Sequence, residues 1–279
     1  LTTDQLSSLE TADLAALIST QVQAISAANF SSLGSQHIAA LTTAQVSTLT
    51  TAQVQALQPT QLEGLTTAGV RALGTQHFAA LNSAQLDALN TDQVAALTTD
   101  QVVALKTSQI QAISTEGMAA LTTDQVAAIE TADIAALKTN QIAALTTDGI
   151  AALTTDQVVA LSSFQVANLT TATLATLTTD QVQAIETADI ASLKTAQLAG
   201  LATATLVALT TDQIQALTTT QLAGISTAAV NALTTDQVVA LTTTQVAGLT
   251  TSTIASLSTR NVAVLTTDQI GVISTAGLA

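Results

Sequence analysis

Two apolar positions recur every eight residues along the chain. Leu1, Leu9, Leu17, Ile25, Leu33 and each eighth residue to Ile273 are Leu or Ile, while Leu6, Leu14, Val22, Phe30, Ile38 and each eighth residue to Leu278 are Val, Ile, Leu, Phe or Met. No insertion or deletion interrupts this rhythm. Residues 1–279 therefore form one continuous octapeptide-repeat array, in which equal units pack on equal neighbours. Lettering the octad a to h, with Thr2 at a and Leu9 at h, gives the word Thr-Thr-x-Gln-Val-x-Ala-Leu, and e and h are the apolar pair.

The polar positions predict a helix start in every octad. Thr at a followed by Gln at d has the spacing of a capping box: the hydroxyl accepts a backbone N–H at the first turn and the Gln side chain reaches back to the cap. Leu at h just before the cap and Val at e five residues later match a hydrophobic staple. The single proline, Pro59, falls at b, the first helical position, where a missing N–H costs nothing. One unbroken helix is excluded, because eight residues at ~100° each would rotate the apolar stripe by ~80° per octad. The chain must turn at each Thr pair. A β-solenoid is the competing architecture, since Thr and Val favour strands; against it stand the Ala and Gln in mid-word and the odd spacing of e and h, which would put them on opposite faces of a strand.

The expectation is an all-α solenoid of very short capped helices, one per octapeptide. On such a helix c points outward and g sideways, and the Ala or Gly at g lets neighbouring rungs approach closely. A second rhythm sets the turn. Asp recurs at c at Asp100, Asp124, Asp156, Asp180, Asp212, Asp236 and Asp268, in alternating steps of three and four octads. The mean is 3.5 octads, or 28 residues, per superhelical turn. The segments Glu130–Lys138 and Glu186–Lys194 are near copies seven octads apart, so duplication of a two-turn block contributes to the same spacing.

Composition narrows the function. A net charge of -14 argues against nucleic acid or anionic membranes as partners. Thr, Gln and Asp interrupt every apolar run, so no segment reaches the ~20 residues of a membrane span. There is no Cys, hence neither disulfide nor thiolate site. Both ends fall inside the repeat rhythm, with Ser274–Ala279 incomplete, which reads as a fragment of a longer array.

Candidate chemistry is sparse. The acidic c positions, from Asp4 to Asp268 with Glu116 among them, offer calcium a row of oxygens, but acids at helix starts and on a soluble surface need no ion to account for them. His37 and His77 replace Gln at d in two similar octads, with no further ligand or acid–base partner in sequence. Every Ser and Thr belongs to a row of equivalents, leaving no distinctive nucleophile. The expected site inventory is empty: no catalytic, cofactor-binding or metal-ligating residue.

The segment Leu153-Thr-Thr-Asp-Gln-Val-Val-Ala-Leu161 resembles the opening of a TAL effector repeat, and Gln58-Pro59-Thr60-Gln61 is similar to the proline-containing start of that motif. The base-reading pair, the second helix and the basic character are missing, so DNA recognition does not transfer. Over its length the chain resembles the Leu-Thr-Thr-x-Gln-Val-x-Ala-Leu arrays of large secreted or surface-exposed bacterial adhesin-like proteins. That resemblance implies a non-enzymatic structural or interaction protein at the cell surface or outside the cell: a stalk, fibre or matrix component that self-associates end to end. The alternative from a different class is an acidic solenoid that mimics DNA and blocks a nucleic-acid-binding protein.

Overall fold

The computed structural model describes residues 2–273. Leu1 and Ser274–Ala279, with the apolar Leu278, lie outside the described residues. Every described octad forms one short helix, from α1 (Thr3–Ser7) to α34 (Thr267–Val272). No strand occurs among the described residues. The all-α solenoid is adopted and the β alternative is not.

The helix α7 (Thr51–Ala56) shows how one octad starts and stops. Thr50 is extended at φ -79 and ψ 151. Its hydroxyl accepts the Gln53 N–H at 3.2 Å, and the Gln53 Oε1 accepts the Thr50 N–H at 2.9 Å. The start is thus closed by the predicted capping box. Leu57 then swings to φ -60 and ψ 134, with its N–H donating to the Val54 carbonyl at 3.2 Å. Two extended residues, h and a, redirect the chain, and among the described residues none has positive φ. Glycine is not needed for the turn. Where a offers no hydroxyl but d is Gln, the other half of the box persists: the Lys138 N–H still donates to Gln141 Oε1 at 3.0 Å. Pro59 opens α8 (Pro59–Glu63) as the spacing predicts.

The chain divides into two compact units, Leu1–Leu145 and Thr146–Ala279. Within each, a helix packs on the third helix after it, as α6 (Thr43–Ser47) does on α9 (Thr67–Ala72) and α24 (Thr187–Ser192) on α27 (Thr211–Ala216). Positions e and h face the core: Val54 and Leu57 are 0% and 3% exposed. The c-position Asp side chains are exposed. Position g meets position b of the octad three before it. At Gly64 an added Cβ would stand 2.7 Å from the Ser35 carbonyl oxygen, so a small residue there is required by close approach. Long f side chains fasten the next turn, with Arg71 Nε donating to the Ala96 carbonyl at 3.1 Å and Gln55 Nε2 to that of Ala80 at 3.3 Å.

Candidate functional site

The sequence places Gln at d as a local cap; the structure also buries it. Gln45, Gln53, Gln85, Gln93 and Gln101 are each 2% exposed or less, so d joins e and h inside. The Oε1 is used by its own helix start, and Nε2 points across to the turn before. Gln53 Nε2 donates to the Ile25 carbonyl at 2.9 Å and to that of Val22 at 2.8 Å. Those residues are h and e of an octad 28 and 31 residues earlier. One amide therefore satisfies an orphan N–H at the start of one helix and the h carbonyl past the end of another, and adds a second donor to the e carbonyl, which already accepts the h N–H. The bond recurs in unit one at Gln85 to Leu57 (2.8 Å), Gln109 to Leu81 (2.6 Å) and Gln141 to Ile113 (2.8 Å). Unit two repeats it at Gln181 to Leu153 (2.6 Å), Gln213 to Ile185 (2.7 Å) and Gln245 to Leu217 (2.6 Å).

This ladder fixes the pitch. A helix packs on the third helix ahead, yet its amide bonds the fourth behind, so a turn closes between three and four octads. The 28-residue offset of the bond is the 3.5-octad turn read from the Asp spacing.

The model of the ALTTAQ repeat matches residues 6–43, 67–99, 99–128, 126–163, 182–219 and 219–251, which together exceed half of the chain. The chain belongs to the ALTTAQ repeat family. No curated protein matches it. The family word occurs here as Ala40-Leu41-Thr42-Thr43-Ala44-Gln45. It runs from g of one octad to d of the next and ends on a ladder amide, with Gln45 Nε2 donating to Leu17 and Leu14 carbonyls at 2.6 and 2.9 Å.

Several departures from Gln in this ALTTAQ array keep part of its bonding. Asn261 is 0% exposed and its Nδ2 donates to the Asn231 carbonyl at 3.2 Å. His37 and His77 copy the amide with two ring nitrogens. His77 Nδ1 accepts the Gly74 N–H at 2.9 Å, and Nε2 meets the Leu49 carbonyl at 2.8 Å, 28 residues back. In His37 the partners are the Gly34 N–H at 3.1 Å and the Leu9 carbonyl at 2.9 Å. Both nitrogens of each ring are thus committed to backbone. Burial pushes the His77 imidazole below its ordinary pKa, and the bond to the Leu49 carbonyl opposes that shift.

Asp133 and Asp189 also occupy d and are 3% and 2% exposed. The Ser163 hydroxyl donates to Asp189 Oδ1, while Asp189 Oδ2 is buried without a hydrogen-bond partner. Burial raises the Asp189 pKa, the Ser163 hydrogen bond pulls it down, and the charge of Glu186 adds to the rise. A buried carboxyl here was not foreseen, because the Glu-Thr-Ala-Asp word looks like an ordinary solvent-facing helix start.

A signal for the buried amide does lie in the sequence. An exposed capping box accepts Glu at least as well as Gln, and the helix dipole favours the acid. Yet no Glu stands at d anywhere in the chain, where Gln, Asn and His recur. Gln is the commonest residue at d, although Gly69, Gly117, Gly149 and Ala229 stand there with no side-chain donor. Elsewhere, Asp87, Ser108, Gln111 and Lys138 line an open depression on unit one. Among the described residues no three His, Asp or Glu side chains converge as a metal site, and no helix is long and apolar enough to cross a membrane.

Proposed function

We propose that this ALTTAQ array is a non-enzymatic structural and interaction protein, a bacterial stalk, fibre or matrix component at the cell surface or outside the cell. It associates with further copies or further lengths of the same array. The observation that carries this reading is the amide ladder: at d, e and h the repeated word is spent on joining one turn to the turn before. The ladder also has polarity, since each turn offers side-chain N–H groups in one direction and helix-end carbonyls in the other. A turn contributed by another copy meets the same partners as a turn of its own chain, which supports end-to-end association. The charge of -14 disfavours nucleic acid as the partner. The reading needs no cofactor, and the exposed c-position acids serve solubility and helix starts.

Sedimentation of the purified chain at micromolar concentration tests the association. Species larger than the monomer are expected, and a strictly monomeric boundary would refute it. Antibody labelling of intact producing cells tests the location; signal only after permeabilisation would refute a surface or extracellular role.

A further inference from the structure

The two histidine rungs of unit one differ from their glutamine counterparts in one chemical respect. An amide keeps its acceptor and its donor at every physiological pH, whereas an imidazole keeps both only while neutral. In each rung Nδ1 accepts a backbone N–H, which requires a bare nitrogen. The proton then sits on Nε2, which faces a carbonyl. A second proton on Nδ1 turns that acceptor into a donor aimed at the Gly34 or Gly74 N–H. Neither octad has a substitute: Gly at a offers no hydroxyl, so the ring is the only side-chain cap of the helix start.

We propose that His37 and His77 are proton-operated latches, at which mild acidification opens α5 (Ser35–Ala40) and α10 (Thr75–Phe78) from the turn before them. Protonation leaves two N–H groups facing each other in a buried site and charges the ring. The helix start is released, and with it the bond that holds the Leu9 or Leu49 carbonyl.

The two rungs differ in their surroundings. Around His37, the packed α2 (Thr11–Ala16) carries Asp13 and the packed α8 carries Glu63, while Glu10 follows the Leu9 carbonyl. Around His77, α7 carries no ionisable group, α13 (Thr99–Val103) carries Asp100, and α6, which precedes Leu49, carries none. His77 is 1% exposed and His37 6%. The burial that lowers the His77 pKa means that its open form takes the proton at a higher pH than its closed form. The sign follows: the stability this ring contributes is full above the open-state pKa and falls as pH drops below it.

The test uses the full chain at successive pH values between about 7.5 and 5.5. Amide exchange, corrected for its intrinsic pH dependence, is measured in the wild type and in His37→Gln/His77→Gln. Gln is the usual residue at d, so the variant retains the ladder. Across that range protection of 35–41 and 75–81 in the wild type is expected to fall by up to about tenfold. In the variant the same segments should stay protected. Equal loss in the variant, or no loss in the wild type, would overturn the proposal. Imidazole nitrogen chemical shifts give a variant-free check: both rings must be the Nε2–H tautomer at neutral pH, and Nδ1-protonated neutral rings would also overturn it.

Discussion

At the scale of the residue, the decisive group is the side-chain amide at d, because it acts as acceptor and donor in one rigid plane. Gln93 is 1% exposed; its Oε1 accepts the Asn90 N–H at 3.0 Å and its Nε2 lies 2.9 and 2.8 Å from the Leu62 and Leu65 carbonyls. Gln93→Glu preserves shape and cap but sets a carboxylate oxygen against those carbonyls. The expected loss is about 3 kcal/mol, seen as a lower urea midpoint at unchanged slope. An unchanged midpoint would mean that the amide is not needed as a donor. Asp189 is the natural version of this experiment. Its pKa is raised in the fold, so its contribution to stability is full below the unfolded carboxylate pKa and is lost as pH rises through the higher folded value. Asp189→Gln should therefore stabilise the chain at neutral pH by about 1 kcal/mol and remove this pH dependence. Equal midpoints for the two chains at pH 7 would count against that account. The local half of the d residue's role, capping, was legible from its spacing after Thr. The distant half was not, because its partners are backbone carbonyls, which carry no sequence signature.

At the scale of the element, α1 to α34 are far below the length at which a helix holds in water by itself. A helix of the common word, such as α7, is supported at three places: a capped start, a buried e and h pair, and an end covered by the Gln85 amide of a later turn. The first two could be read from the sequence. Thr at a, Pro59 at b and the h-to-e staple predicted the starts, and the Thr cap and the proline appear where expected. The ends were less legible, since the usual glycine signal is absent and the stop is made by Leu or Ile turning extended, as Leu145 does at φ -59 and ψ 138. Leu145 is 3% exposed. Leu145→Asp places an unpaired charge in that rung and should cost about 3–5 kcal/mol, lowering the thermal midpoint clearly. A midpoint equal to the wild type would show that h does not depend on burial.

At the scale of the whole molecule, the half-integral turn separates two periods that other solenoids merge. The octad sets which residues are buried, while the 28-residue bond sets which octads meet. The Asp steps of three and four octads made this turn legible, with duplication contributing to the same spacing, and the ladder bonds supply a geometric cause within each unit. The two periods respond differently to deletion. Removing residues 42–65, three whole octads, keeps d, e and h in phase. Each remaining amide then still finds an h carbonyl three and a half octads behind it, although a different one. Removing residues 42–69, three and a half octads, takes out one full turn yet shifts the octad by half. Positions d, e and h downstream then exchange places with h, a and d of the upstream frame, and Thr or Gln enters the apolar rows. The shorter deletion should keep the helical far-ultraviolet spectrum and a single cooperative melt. The longer one should lose helicity around the junction and broaden the transition. If the two behaved alike, the octad would not be the unit that packs. The ordering expected here, with the whole-octad cut better tolerated than the whole-turn cut, follows from burial outweighing any single ladder bond: each octad buries two large apolar side chains worth about 1.5–3 kcal/mol each, against about 1 kcal/mol for a bond that re-forms one octad along.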